Sequence, residues 1–565
     1  MNPLKNLSYT FIISLFAINL SYSQQILIDG NFDDWNTIEP IFIDGIGDGQ
    51  NNGIDLTKIW ITSDANNFYL KFTLGKEIDL SENNELAIYI DYDNNINTGY
   101  KINGIGAELR YFFGERFGII TKNSNNEFVN FNPIGLRAAP TVTGEEFELS
   151  FSRIVSESGI NFEANSEISF RIEDNGFGGD EIPNGLSGIK HVLSSDTFEE
   201  LPYNFNKSED TDFRVLSYNI ELDQLFDSNK KEAFKRLFKV INPDIIALQE
   251  VRNHSSEETK NLISEFLPTT TWYHKKLGYD IVTLSKYPIL YSEPIDGNSA
   301  YYLDVNGNDV VLINCHLYCC DNDTGRQNEV DNIMSYIRKL KNGDTNYNVQ
   351  EGAPIIILGD MNFVGNDDQP STLKTGNIAN NNTYGPDLEP DWDNSDLGIV
   401  QAIASGTNTD FTWINSFSSY LPGKLDWIFY TDSKIDVKNA FGIYTPSMSQ
   451  DVLSLYNLQK HDTDNTADHL PIVVDFSYGA VQTTDILDSD VQIFPNPVFD
   501  KLQINAFEAY INRVVIIDSH GKQCLNQKIN HNNNFELNVS HFKSGMYYLV
   551  MYTGSGKIIR NVVKQ

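Results

Sequence analysis

At 565 residues the chain is too long for a single hydrophobic core and suggests about three domains on a rough 150-residue prior. Apolar residues make up 40% and aromatics 12%, which excludes global disorder. The 41 Lys and Arg against 77 Asp and Glu leave a net charge of −36. Such a surface excludes a tight non-specific nucleic-acid binder and repels anionic membranes at long range. A phosphate-bearing substrate therefore needs a local site with a cation beside it.

The N-terminus reads as an export signal over residues 1–23. Lys5 supplies the positive end, residues 10–20 are mostly apolar, and Ser21 and Ser23 place small side chains before a cut expected after Ser23. No later stretch approaches 18 apolar residues, so no transmembrane segment is expected. Four cysteines are too few for a disulfide scaffold. Cys315, Cys319 and Cys320 lie close together; on a strand ending at His316, Cys315 points to the opposite face as a small core residue, and one local disulfide is open with its partner unread.

Residues 24–206 alternate in short segments between Asn, Asp and Gly. Strands are expected at 59–62, 68–72, 86–90, 147–151 and 168–172, which makes a β-sandwich. In the run from Asp91 to Gly99, Asp91, Asp93 and Asn95 alternate oxygen donors as hard-cation loops do, and Gly99 permits a sharp turn; Ca²⁺ is the ion this pattern suits. Residues 207–212 are polar and read as a linker.

From 210 to 478 apolar strands alternate with amphipathic helices. Strands are expected at 213–220, 245–249, 281–285, 310–316 and 355–358, with helices at 230–241, 257–266 and 329–340. The pattern is that of an α/β sandwich, two packed sheets flanked by helices. The stretch 365–396, rich in Asn, Asp and Pro, reads as a long surface loop. A β-rich tail over 486–565 closes the chain as a small sandwich.

Polar signatures punctuate the middle region at strand ends. They are Leu216-Ser-Tyr-Asn219, Ala247-Leu-Gln-Glu250, Asn314-Cys-His316, Leu358-Gly-Asp360-Met-Asn362, Lys424-Leu-Asp426 and Ala467-Asp468-His469. Strand ends gather at one edge of a packed sheet, and burying so many polar groups there without a purpose is costly. Asn219, Glu250 and Asp468 are hard oxygen ligands suited to Mg²⁺ or Mn²⁺. His469, held by Asp426, can orient or activate a water, and Asp360 can accept its proton. Asn362 can donate to a phosphoryl oxygen, and His316 can protonate the leaving oxygen. Arg252, Lys275, Lys286 and Arg326 are weaker candidates for contacting phosphate. The set suits in-line attack of water on a phosphoester.

These ordered motifs resemble the endonuclease/exonuclease/phosphatase superfamily over residues 213–476. The resemblance implies Asn219 and Glu250 as metal ligands, Asp360 and Asn362 as the Gly-Asp-x-Asn pair, Asp426 as the partner of the catalytic histidine, and Asp468-His469 as the terminal pair. His316 matches the mid-domain histidine, which in deoxyribonucleases is oriented by a glutamate. Here the corresponding stretch has no Glu, and Asp280 is the carboxylate able to take its place.

The opening Ile28-Asp-Gly-Asn-Phe-Asp-Asp-Trp35, with the Asp91 loop, resembles family 9-like carbohydrate-binding (DOMON-like) sandwiches, which implies a glycan partner. Phe494-Pro-Asn-Pro497, Gly545-Met-Tyr-Tyr and the terminal Lys564 resemble the type IX secretion C-terminal sorting domain, which implies that secretion machinery as a partner and a secreted or cell-surface location. The expectation is a secreted phosphodiesterase acting on a substrate such as extracellular nucleic acid. A lipid or small-molecule phosphatase, sphingomyelinase-like activity included, is the rival enzyme reading. A glycan-binding surface adhesin is the rival of another class.

Overall fold

The computed structural model describes residues 25–47, 49, 53–155, 159–197, 204–208, 211–347, 349–478, 491–506, 511–518, 523–532, 534–553 and 556–565. The export signal expected over 1–23 lies outside the described residues. Among those described, no helix is long and apolar enough to cross a membrane.

The first region folds as two facing antiparallel sheets. Leu56–Ser63, Asn67–Ile78 and Gly144–Ser152 form the centre of one; Glu167–Asp174, Leu86–Asp91 and Leu109–Phe112 form the centre of the other. Alternate apolar side chains, among them Phe68, Leu70, Phe72, Ile88, Ile90, Leu149 and Phe170, turn inward and fill the space between them.

The middle region is an α/β sandwich of two six-stranded sheets. The first runs in the order Tyr273–Leu277, Ile281–Ser285, Ile245–Gln249, Phe213–Asn219, Ile472–Tyr478, Ile435–Gly442. The second runs Ile289–Ile295, Asn298–Val305, Asn308–His316, Ile355–Asp360, Asp426–Tyr430, Gly398–Ile399. The central strands are apolar on both faces because each face is covered. Val215, Ile245, Leu312, Leu358 and Ile472 meet between the sheets. On the outer face of the first, Leu216 and Leu248 pack with Phe234 and Leu237 of helix Lys231–Ile241 and Ile263 of helix Ser256–Phe266. On the outer face of the second, Ile313 and Cys315 lie under Val330, Ile333 and Ile337 of helix Asp323–Asn342.

The stretch expected as one loop over 365–396 contains a helix, Asp368–Thr375, stopped by Gly376 in the left-handed conformation at φ +76°. Two turns are too short to show a period in the sequence. A third unit, of one three-stranded and one four-stranded sheet, encloses Leu502, Ile504, Ile516 and Leu549.

Two central strands of the first sheet, Phe213–Asn219 and Ile472–Tyr478, are pinned by a buried ion pair at the end remote from the polar motifs. Arg214 donates from Nε and Nη2 to the two oxygens of Asp475, each at 2.6 Å, and from Nη1 to the carbonyls of Phe205 and Ile241. Arg214→Met strands the buried Asp475 carboxylate and is expected to cost about 3–5 kcal/mol. Urea unfolding followed by near-ultraviolet circular dichroism reads this as a lower midpoint for the middle domain.

The first and middle domains touch along one seam. Ile28 bridges to Thr409, Thr141 Oγ1 accepts from the Lys424 backbone at 2.8 Å, and Ile414 and Leu421 pack on the first domain's core.

Candidate active site

Strand register assembles the first part of the site. In the second sheet His316 pairs with Asp360, and Asp360 pairs with Asp426, so three residues far apart in sequence end side by side on adjacent strands. Gly359 makes this approach possible. It sits at φ +135°, and a Cβ there would fall 2.0 Å from the Cys315 carbonyl oxygen.

In the first sheet Asn219 pairs with Gln249, and the chain then turns at Glu250, whose φ of +62° aims its carboxylate back toward Asn219. Asn219 donates from Nδ2 to Asp360 Oδ2 at 2.8 Å and to Glu250 Oε1 at 3.4 Å, which joins the two sheets. Glu250 Oε2 is held by the Leu222 backbone N–H at 2.8 Å and lies 3.5 Å from Arg252.

Asp360 Oδ2 has an imidazole on either side: His469 Nε2 at 3.6 Å and His316 Nε2 at 3.7 Å. Each ring is fixed through its other nitrogen by a separate carboxylate. His469 Nδ1 lies 2.7 Å from Asp426 Oδ2, and His316 Nδ1 lies 2.9 Å from Asp280 Oδ2. The missing glutamate is thus replaced by Asp280. Each pairing leaves a defined nitrogen facing the pocket.

Burial pulls the His469 imidazole down, but Asp426, Asp360 and Asp468 outweigh it and lift its pKa to about 10. The same contest raises His316, where Asp280, Asp360 and Glu250 overcome burial. Burial raises the Asp360 carboxyl, Asp426 adds to the rise, and the two histidines draw it partly back.

Asn362 and Asp468 each also brace the site. Asn362 Nδ2 donates to the Leu317 carbonyl at 3.0 Å, so that proton ties the loop after His316 to the Asp360 turn. Asp468 Oδ2 accepts from Trp413 Nε1 at 2.9 Å, and its N–H donates to Glu221 Oε2 at 3.2 Å. Trp413 went unnoticed in the sequence, as did Thr412, whose Oγ1 accepts from the backbone of Leu425 and Asp426. This short segment pairs with residues 468–470 and braces both members of the His469–Asp426 couple.

Of the weaker cations, Lys286 is committed to Asp244 at 3.0 Å. Arg326 is buried against the carbonyls of Tyr318 and Cys320. Arg252 remains beside Glu250, and Lys275 borders a separate surface cleft with Trp272 and Tyr291.

The donors fit a hard divalent cation. Glu250 offers a carboxylate and Asn219 an amide whose Oδ1 accepts from the Glu221 backbone N–H at 3.0 Å while its Nδ2 faces Glu250 and Asp360, there is no thiolate among the site residues, and both imidazoles are tied to carboxylates through Nδ1. Asn219 and Glu250 are the residues that would hold it.

A second acidic cluster lies in the first domain. Asp91, Asp93 and Glu108 bring ligand oxygens within 4.8 Å of one another. Glu108 is 4% exposed and its Oε1 finds no hydrogen-bond partner; burial, then Asp93 and Asp91, push its carboxyl up to about 7. Asn95 lies in the same loop, its Oδ1 accepting from the Asn97 backbone at 3.1 Å. Gly99, at φ +63°, turns so close that a Cβ would meet the Ala107 carbonyl carbon at 2.5 Å. On the same sandwich an open cleft of about 220 Å³ is lined by Tyr89, Tyr100, Arg110, Phe112 and Asn175 among others.

Residues 216–447 match the model of the Endonuclease/Exonuclease/phosphatase family, and residues 492–565 match the Secretion system C-terminal sorting domain. Among solved structures, humanized D. rerio TDP2 is similar at 16% identity with a TM-score of 0.31, over 47% of this chain and 98% of that one. The human Nocturnin catalytic domain is similar at 16% identity and TM-score 0.30, over 47% and 94%. An endonuclease/exonuclease/phosphatase family protein from Leptotrichia buccalis is similar at 17% and 0.30, over 47% and 99%. No curated protein matches the chain.

Proposed function

Because the chain carries an endonuclease/exonuclease/phosphatase domain, a family of metal-dependent phosphoester hydrolases, and a sorting tail that marks it for export, we propose that it is a secreted Mg²⁺-dependent phosphodiesterase acting on extracellular nucleic acid. The observation that carries the reading is the carboxylate of Asp360 set between two imidazoles, each backed by its own aspartate. A phosphodiester has a poor leaving group, so it needs a proton donor opposite the attacking water as well as an acceptor beside it.

When bound, the cation supplies positive charge to the phosphoryl oxygens and lowers the barrier to their crowding. Asn219 and Glu250 would hold it. Asp360 takes the proton of the attacking water. His469, kept in one orientation by Asp426, places a positive charge beside the phosphoryl group. His316, kept by Asp280, hands its Nε2 proton to the leaving oxygen. Asp468 acts through Trp413 and the backbone to hold His469 in place.

A panel of DNA, RNA, sphingomyelin, inositol phosphates and bis-p-nitrophenyl phosphate tests the assignment. Release of nucleotides from DNA or RNA is expected; cleavage of none of the five sinks the enzymatic reading. The 98% exposed Phe417, four residues past Trp413, favours a lipid phosphodiester as the second reading. Cleavage of sphingomyelin without cleavage of DNA or RNA selects it. Asp280→Asn tests the proton-donor role and is expected to lower kcat by about 10–100-fold, since a positioning partner of this kind sets ring orientation. Rates unchanged across the pH profile contradict it.

We further propose Ca²⁺ at Asp91, Asp93 and Glu108, supported by the unpartnered Glu108 oxygen. Ca²⁺ at about 100 times its Kd should then stabilise the first domain by ~2.7 kcal/mol. Calorimetry with Ca²⁺ or chelator should show the shift in the wild type and not in Glu108→Ala. Tyr89, Tyr100 and Phe112 give the neighbouring cleft an aromatic lining on which a glycan can stack.

A further inference from the structure

Cys319 and Cys320 follow the catalytic strand by three and four residues, and neither takes part in the mechanism above. Both are exposed, and their Sγ atoms lie 2.6 Å apart. The backbone that sets them side by side is fixed independently of the sulfurs. Cys320 sits at φ +64°, and the buried guanidinium of Arg326 donates from Nη1 to the carbonyl of Tyr318 at 3.0 Å and of Cys320 at 2.6 Å. The other end of the loop belongs to the active site. Leu317 N–H donates to the Asp360 carbonyl at 3.0 Å, and the Leu317 carbonyl accepts from Asn362. Tyr318, 57% exposed, stands between these two anchors.

We propose that Cys319 and Cys320 form a reversible dithiol/disulfide pair at the rim of the active site, oxidised outside the cell by exchange with small-molecule disulfides. Export takes the chain to a compartment where disulfides persist. A bridge between adjacent residues closes almost no loop, so it removes little chain entropy and gains little as a structural staple. Exposed bridges of this kind exchange readily.

One thiolate of the pair attacks a sulfur of the external disulfide, forming a mixed disulfide and releasing one thiol. The neighbouring thiolate then attacks the cysteine sulfur of that mixed disulfide, forming the Cys319–Cys320 bond and releasing the second thiol. The two cysteine protons pass to the two released thiols; the external disulfide is reduced and the pair is oxidised. Closure joins the two side chains three and four residues beyond His316, on the loop that Arg326 already anchors. The buried Cys315 takes no part, because its thiol is sealed in the core under helix Asp323–Asn342, out of reach of an external disulfide.

The full chain is treated with oxidised glutathione or with a phosphine reductant, alkylated while folded, and the peptide carrying both cysteines is weighed. After reduction, both residues carry the alkyl group. After oxidation, the expected peptide carries none and is lighter by two hydrogens than the free dithiol form, and the reductant restores alkylation. Two alkylated cysteines after oxidation, or a glutathione adduct that persists on either, overturns the proposal.

The kinetic consequence rests on the hydrolase reading. Hydrolysis of bis-p-nitrophenyl phosphate is expected to differ several-fold in KM between the oxidised and reduced wild type, and not between equally treated samples of the Cys319→Ser/Cys320→Ser variant. Equal constants in both wild-type forms overturn the coupling to the site. A chain that closes the bridge yet hydrolyses nothing in either form refutes the hydrolase reading and leaves the redox pair standing.

Discussion

Replacing His469 with alanine lowers kcat by roughly 10²–10⁴-fold, the range a positioned acid–base group supplies. The ring is buried, held through Nδ1 by Asp426 at 2.7 Å, and turned with Nε2 toward Asp360. Asp360→Ala should fall in the same range, because the two groups act on one water and one phosphoryl group. Their double variant should then lose little more than either single one, as residues acting as a unit do. Full additivity instead means that the two side chains serve separate steps. Asp426→Asn is a milder probe of the same couple. It keeps the shape but removes the charge that does most to lift His469 against burial. Circular dichroism on each variant separates lost chemistry from lost fold, since Asp360 and Asp426 are both buried.

Dialysis against chelator is expected to abolish hydrolysis, and Mg²⁺ or Mn²⁺ is expected to restore it. Glu250 is the residue on which this depends most. Its carboxylate is the charged member of the ligand pair, and the left-handed turn at φ +62° directs it at Asn219. Glu250→Gln keeps the volume and loses the charge. The Mg²⁺ concentration giving half-maximal rate should rise about tenfold or more, the equivalent of ~1.4 kcal/mol. The acidic cluster of the first domain is the proposed Ca²⁺ site, so Glu108→Ala serves as the control: its Mg²⁺ dependence should match the wild type. Activity surviving exhaustive chelation contradicts the proposed chemistry.

Most of the middle domain was legible because its strands are apolar on both faces and its helices keep a clean period. The expected strand over 245–249 matches Ile245–Gln249, and the helix over 230–241 differs from Lys231–Ile241 by one residue. Ile289–Ile295 was missed, since its half-buried edge position leaves neither alternation nor a continuous apolar run. The site residues were visible one by one as polar breaks at strand ends. Their pairing was not. That His316, Asp360 and Asp426 stand abreast follows from register between strands up to 110 residues apart, which no local pattern encodes.

Residues that act by bracing left weaker traces. Trp413 looked like one more aromatic in a polar loop, and its bond to Asp468 exists only once 412–414 pairs with 468–470. Glu108 escaped the cation loop because it arrives on a neighbouring strand. Ile90 pairs with Leu109, which carries Glu108 opposite Asp91. Asn95, inside the expected loop, spends its side chain on the turn, as short amide side chains commonly do.

In the proposed site, one pocket at the joint of the two sheets holds a single catalytic cation against Asn219 and Glu250, beside the Asp360 carboxylate and its two imidazoles. Crystals of the full chain grown with Mn²⁺ and measured at the manganese absorption edge test it directly. The account predicts one anomalous peak in the middle domain, in contact with the Glu250 carboxylate and the Asn219 side-chain oxygen. A middle domain with its manganese bound elsewhere, or with none at saturating concentration, contradicts it.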